Sequence, residues 1–220
     1  MFIVEEILLD FNIEIWGVGT PRTLRPIWMA EELGIPYKIY PIGPRTGETQ
    51  TLEFHSLNPK QKVPVIKHGQ FVLSESVAIC RYLRRISPSV NIFRPKNNKD
   101  RAIEDEWCSF VYGELDETSL YVMRRHQDLK SIYGSAPNVV KSCCQYFEKN
   151  LNVVEKILAK NNTLLGFDFG LVDILLVSCL DWSTIYDIQL PQNVTRYYEH
   201  IKAREPYKRA FKINYKNVII

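Results

Sequence analysis

The sequence predicts an α+β protein in two parts, a small α/β unit over residues 12–86 and an all-helical unit over residues 99–220. Three observations predict it. Short apolar runs of strand length alternate with helical patterns in the order βαβ, loop, ββα as far as about Ile86. A break follows at Ser87–Asn98, where Pro88, Pro95 and three asparagines read as a linker. Beyond it apolar residues recur at three- and four-residue intervals, and no stretch reads convincingly as a strand.

In order, Ile13-Glu14-Ile15-Trp16 predicts the first strand and Gly17–Pro21 a turn. Arg22–Leu33 carries Leu24, Ile27, Trp28 and Leu33 at helical spacing, and Gly34 is a natural C-terminal cap. Tyr37–Ile42 is the second strand, Arg45–Gln50 a polar loop after Pro41 and Pro44, and Glu53–Leu57 a short helix. Val63–Lys67 and Phe71–Leu73 form a hairpin around His68-Gly69-Gln70, and Ser74 or Ser76 caps a helix to about Ile86. The second part predicts helices over Lys99–Leu129, Pro137–Lys160, Leu171–Tyr186, Gln192–Arg204 and Pro206–Ile213, with the most apolar, Leu171–Tyr186, at the centre. Residues 1–11 are an extension to which no role is assigned.

Composition narrows the function classes. With 45% hydrophobic and 24% charged residues the chain is an ordinary globular one, long enough for a core without disulfides or structural metal. The 28 basic and 25 acidic residues leave +3, too little for a nucleic-acid protein without a basic face. Arg81, Arg84 and Arg85, and Arg204, Lys208, Arg209 and Lys212, read as solvated helix faces. No run approaches the roughly 20 apolar residues of a membrane span, and the acidic start is unlike a signal peptide. Cys80, Cys108, Cys143, Cys144 and Cys179 show no CxxC and no metal-ligand spacing with the four histidines, so they read as core residues in a reducing, cytoplasmic compartment. Neither metal, nucleic acid nor membrane is expected as a partner.

The chemistry concentrates in Asn58-Pro59-Lys60-Gln61-Lys62-Val63-Pro64-Val65-Ile66 and in Leu73-Ser74-Glu75-Ser76-Val77-Ala78-Ile79. Pro64 near a strand start suits an edge, a bulge or a cis bond. A cis bond would turn the Val63 N–H and C=O outward, to pair with a bound peptide as an added strand. Ser76 at a helix start offers a hydroxyl and free N–H groups to a carboxylate, and Glu75 suits an ammonium group. Taken singly, each piece also reads as a plain strand–turn–helix.

Together these residues resemble the cytosolic glutathione transferase family, with its pattern Asn-Pro-x-Gly-Lys-Val-Pro, a hairpin, then Glu-Ser-x-Ala-Ile. Asn58, Pro59, Lys62, Val63, Pro64, Glu75, Ser76, Ala78 and Ile79 match, and Gln61 replaces the glycine. The resemblance implies a thioredoxin-like first domain that binds glutathione through Lys62, Val63, Pro64, Glu75 and Ser76. Val63 would pair with the cysteinyl backbone, Glu75 and Ser76 would hold the γ-glutamyl end, and Lys62 would lie near the glycyl carboxylate. Phe169-Gly170-Leu171-Val172-Asp173-Ile174 resembles the family's helix-start motif in the helical domain, with Gly170 in place of the capping hydroxyl. Ala203–Ala210 resembles its usual tail.

The first turn, Trp16–Arg25, has no Tyr, Ser or Cys and is similar to bacterial and fungal branches that begin Thr-Pro or Ser-x-Arg-Ser. Thr20 is the best hydroxyl for activating the thiol, Thr23 the second, and Arg22 a candidate source of positive charge. Trp107, Tyr112, Tyr121 and Arg124, with Leu115, are candidates for the acceptor-substrate pocket, though core or dimer packing suits them equally. The implied activity is conjugation of the glutathione thiolate to a small hydrophobic electrophile by a homodimeric, detoxifying enzyme. The alternatives are a glutathione-dependent peroxidase or disulfide reductase, and a non-catalytic binding module.

Overall fold

β1 (Ile13–Trp16) is the strand around which the sheet is built, and its Ile13 and Ile15 are fully sequestered from water. In the computed structural model, which describes residues 12–216, β1 lies parallel to β2 (Tyr37–Tyr40) and antiparallel to β3 (Val65–His68). β4 (Phe71–Ser74) pairs antiparallel with β3, giving the order β2-β1-β3-β4 with Ile39, Ile15, Ile66 and Leu73 in register. The expected extension over residues 1–11 lies outside the described residues. The strands sit within a residue or two of the expected ones. Pro64 precedes β3 rather than lying inside it, so it removes no ladder donor.

α1 (Pro21–Leu33) starts one residue earlier than expected, because Thr20 caps it and Pro21 is favoured in the first turn. It ends at Gly34, which takes the left-handed conformation at φ 64°. α2 (Leu52–Leu57) is short, and α3 (Ser76–Ile86) follows β4 directly. The expected linker is packed: Ile92 and Phe93 are buried, and Phe93 N–H donates to the Phe169 carbonyl at 2.7 Å.

After the linker every described element is helical, as the periodicity predicts. The expected single helix over Lys99–Leu129 is instead α4 (Asn98–Phe110), a π-helical stretch (Val111–Tyr121), α5 (Val122–His126) and, after a turn, α6 (Lys130–Tyr133). α7 (Pro137–Leu158), α8 (Leu171–Ser183), α9 (Gln192–Lys202) and α10 (Glu205–Tyr215) complete the bundle. α8 is buried along almost its whole length, as its composition demands.

α1 joins the two parts, packed against α3, α8 and α10. Trp28 meets Tyr207 of α10 edge-on at 4.9 Å and Phe169 before α8 at 5.6 Å. Asp173 accepts the Gly170 N–H at 2.9 Å, and glycine returns no side-chain bond. A Cβ at Gly170 would lie 3.2 Å from Phe93 Cβ, a tight contact that Phe93 would have to yield to. The basic runs are not simple solvated faces. Arg84 is buried and donates to Glu104 across α3 and α4, and Arg204 and Arg209 of the last helices pair with Glu32 and Glu31 of α1. Periodicity shows which residues share a face but not which acid waits opposite them.

Candidate active site

The backbone at Val63 is the centre of the site. The side-chain amide of Asn58, at the end of α2, donates to the Lys62 carbonyl at 2.8 Å and its oxygen accepts the Lys60 N–H at 3.2 Å. These bonds fold Pro59–Lys62 into a tight loop in which Gln61 takes φ 53°, the conformation its glycine counterpart adopts freely. The Val63–Pro64 bond is cis, and among the described residues nothing pairs with the Val63 N–H or C=O. Across from it, Gly17 has φ 117°, and a Cβ there would lie 2.5 Å from Val63 Cβ. Only glycine lets the turn after β1 approach this closely.

At one end of Val63 stands the start of α3. Neither Ser74 nor Ser76 caps the helix. The cap position is Glu75, at φ 75° with no capping bond, and Ser76 is the first helical residue. Ser76 is buried, and its oxygen accepts a hydrogen bond from Arg25 Nη1 at 3.2 Å, which leaves its O–H to donate. Glu75 pairs with Lys60 Nζ at 2.6 Å, but both side chains are about half exposed. Such a pair yields readily to a ligand ammonium group.

At the other end stands the first turn of α1. Thr20 Oγ1 accepts the Thr23 N–H at 3.1 Å, and Thr23 Oγ1 accepts the Thr20 N–H at 2.9 Å. Asn214 of α10, fully buried, closes the ring. Its amide nitrogen donates to the Thr20 carbonyl at 3.0 Å, and its oxygen accepts from the Thr23 hydroxyl at 2.7 Å and the Gly19 N–H at 3.2 Å. Thr23 is thereby committed to structure. The Thr20 hydroxyl keeps its proton to give to Thr23 or into the cleft.

Beneath both ends lies a buried ion cluster that sequence reasoning missed. Asp116, from the π-helical stretch, is wholly buried and accepts from Arg22 at 2.5 and 3.0 Å and from Arg25 at 2.5 Å. Arg25 continues to Ser178 Oγ at 2.7 Å, besides reaching Ser76. Glu117 adds a second carboxylate 3.0 Å from Arg22. Burial opposes the charge on Arg22, but Asp116 and Glu117 outweigh it and hold the guanidinium firmly protonated. Arg22 also lies over Tyr121, 4.6 Å from the ring centre. Its charge is therefore largely matched.

Two adjoining cavities share Arg22, Lys60, Lys62 and Val63. The smaller, about 230 Å³, includes Pro64, Glu75, Ser76 and Tyr112. The larger, about 430 Å³, adds Thr20, Tyr121 and Arg124, together with Arg45, Tyr133 and Trp182. Trp107 lines neither; it packs edge-on against Phe110, 5.2 Å away, because its place on α4 turns it from the cleft. No cysteine lines either cavity. Burial pushes the thiols of Cys80, Cys108 and Cys179 up to about 12, which makes them inert core groups. Among the described residues no group of His, Cys, Asp or Glu is arranged to hold a metal ion, and no helix is long and apolar enough to cross a membrane.

The fold and cleft define a two-part α+β protein with a cleft at the start of β3, lined by residues of both parts. The sequence matches the family models "Glutathione S-transferase, N-terminal domain" over residues 12–85 and "Glutathione S-transferase, C-terminal domain" over residues 121–205. Glutathione S-transferase theta-3 of Mus musculus is 28% identical over 152 residues, a match that takes in 68% of this chain and 63% of the mouse protein. A delta-class glutathione transferase structure from Nilaparvata lugens superposes with a TM-score of 0.79 at 25% identity, covering 90% of this chain and 92% of the other. Glutathione transferase URE2P6 from Phanerochaete chrysosporium, solved in complex with oxidized glutathione, has the same fold, with a TM-score of 0.82 at 16% identity over 94% and 98% of the two chains. With both family models matched in order, the chain belongs to the glutathione S-transferase family.

Proposed function

We propose that the protein is a glutathione transferase that joins the glutathione thiolate to an electrophile with an apolar body. The observation that carries this reading is the unpaired Val63 backbone, set between the Ser76 hydroxyl at one end and the Thr20 hydroxyl at the other. A γ-glutamyl tripeptide fits that series of groups. The Val63 N–H and C=O pair with its central residue as an added strand. Ser76 and the first N–H groups of α3 receive the γ-glutamyl carboxylate, Glu75 its ammonium group, and Lys62 the glycyl carboxylate. The oxidized glutathione bound by the Phanerochaete protein supports the same ligand class.

Glutathione supplies the nucleophile; this chain positions it and stabilises its anion. A free thiol titrates near 8.5, so each unit by which the site lowers that value is worth about 1.4 kcal/mol of preference for the thiolate. Thr20 donates one hydrogen bond to the sulfur, and the N-terminus of α1 adds its dipole. A threonine hydroxyl is too weak an acid to serve as a base. With no cysteine in the cavities, mixed-disulfide exchange on the protein lacks a nucleophile, which favours conjugation. The proposal extends to a cytoplasmic, detoxifying homodimer of the family type; the free cysteines among the described residues suit a reducing compartment.

The test is ultraviolet titration of glutathione on the protein, together with turnover of 1-chloro-2,4-dinitrobenzene, a hydroperoxide and a small disulfide. A bound thiol titrating below 8.5 with chloride release is expected. Peroxide turnover alone would make it a peroxidase, and binding without any turnover a binding module. Sedimentation near 26 kDa at micromolar concentration would reject the dimer.

A further inference from the structure

The larger cavity holds more positive charge than its surroundings neutralise. Arg22, Arg45, Lys60, Lys62 and Arg124 line it, and no carboxylate does. Arg22 is matched by Asp116 and Glu117, and Lys60 by Glu75. Under the proposed function Lys62 meets the glycyl carboxylate. Lys60 is freed when Glu75 turns to the ligand's ammonium group, but it is about half exposed to water; Arg45 and Arg124 have no carboxylate partner at all among the described residues.

Their environments differ from those of the other arginines around the cleft. The Arg124 guanidinium, half-buried on α5, makes no hydrogen bond or ion pair among the described residues. Asp128, one turn on, acts on it only through space and accepts the Tyr186 hydroxyl at 2.8 Å. Arg45, on the loop after β2, touches only a neutral partner, its Nη2 standing 3.3 Å from the Tyr133 hydroxyl. Arg45 and Arg124 line the same cavity, and burial and then the charge of Arg45 both depress the pKa of Arg124. Tyr121, Ile132 and Trp182 add apolar wall to the same cavity, and Thr20 also lines it. Two guanidinium groups in one cavity wall, one of them partly desolvated and without an acceptor, offer planar sets of donors that match a carboxylate.

We propose that Arg45 and Arg124 clamp a carboxylate on the second substrate, which is therefore an aromatic or unsaturated acid with its electrophilic carbon toward Thr20. This rests on the transferase reading of the cleft and narrows it, since an apolar pocket alone would favour a neutral electrophile. With a chloroarene acid the sulfur–carbon bond forms at the carbon bearing chlorine, the carbon–chlorine pair leaves as chloride, and the thiol proton passes to solvent.

The test separates binding from turnover. Calorimetry compares 3,5-dinitrobenzoate with its methyl ester, with and without saturating S-methylglutathione. The acid should bind about tenfold or more tightly than the ester, the usual worth of a charge-assisted hydrogen-bonded pair. Arg124→Gln and Arg45→Gln should each lower that ratio several-fold, with circular dichroism unchanged. A ratio within twofold of unity in the natural protein, or one that persists in both variants, overturns the clamp. In parallel, turnover of 4-chloro-3,5-dinitrobenzoate and its methyl ester is measured, each relative to its spontaneous rate. Preferred binding of the acid without turnover of either compound would keep the clamp and refute the transferase reading. Equal binding with fast turnover of both would do the reverse.

Discussion

Replacing Asp116 by asparagine should cost this protein more stability than any other single charge change near the cleft. The Asp116 carboxylate has no exposure and holds two guanidinium groups at 2.5 Å, Arg22 through one oxygen and Arg25 through the other. Asparagine keeps the shape and one acceptor, but turns an amide N–H₂ toward a guanidinium and leaves the wholly buried Arg25 without its counter-charge. Removing one partner of such a buried pair costs about 3–5 kcal/mol, a large share of the roughly 5–15 kcal/mol that holds a protein folded. For a chain of this size each kcal/mol moves the melting temperature by about 2–4 °C, so Asp116→Asn should lower it by roughly 6–20 °C. Urea and thermal unfolding followed by circular dichroism measure this. The paired change Arg25→Met with Asp116→Leu, which removes both charges together, should be less damaging than Asp116→Asn alone. A cost below about 1 kcal/mol for Asp116→Asn would refute the claim that this carboxylate ties α1 to the helical half.

Three further outcomes follow from the geometry. Gly17→Ala places a methyl 2.5 Å from Val63 Cβ at φ 117°, and should cost about 1–3 kcal/mol in urea unfolding while weakening glutathione binding. Thr20→Ala should raise the pKa of bound glutathione and lower turnover about ten- to a hundredfold, and it forfeits about 1 kcal/mol of helix capping as well. Thr20→Ser keeps both bonds and should be nearly silent in the same titration and rate assays. Asp181 on α8 is buried, accepts from the Tyr198 and Tyr207 hydroxyls at 2.7 and 2.9 Å, and has one oxygen without a partner. Burial raises its pKa to about 6, above the roughly 3.9 of an unfolded chain. The folded state thus holds this proton more tightly, and about 3 kcal/mol of stability present below pH 4 is lost as pH rises through 6. Asp181→Asn should flatten that step in urea midpoints measured from pH 4 to 7; parallel curves would contradict it.

The parts of this structure that depend on neighbours in the chain were legible, and those that depend on distant pairs were not. Ile13–Trp16, the glycine turn, the hairpin around Gly69 and the capping glycine at 34 are written in local spacing, and each forms within a residue or two of where that spacing puts it. So is the Val63–Ser76 series, since a proline, a loop and a helix start follow one another directly. Asp116 lies 94 residues from Arg22 in the chain, and Asn214 lies 191 from Thr23. A lone buried acid or amide carries no periodic mark. The signal available was chemical rather than periodic: two arginines, Arg22 and Arg25, inside a helix too apolar to solvate both. The π-helical stretch was illegible for a related reason. Val111–Tyr121 has ordinary helical composition, and its wider turn shows only in which residues it brings to the cleft, Asp116 and Tyr121 among them.

The most direct test of the site is calorimetric titration of glutathione into the natural protein and into Ser76→Ala. Under the proposed function Ser76 meets the γ-glutamyl end of the peptide, its oxygen already accepting from Arg25 and its proton free to give. Losing that donor strands a charged carboxylate, at a cost of about 1–3 kcal/mol, or roughly five- to 150-fold in affinity. Circular dichroism should show the fold retained. Glutathione binding that is unchanged by Ser76→Ala would mean that the peptide does not lie along Val63 between Ser76 and Thr20.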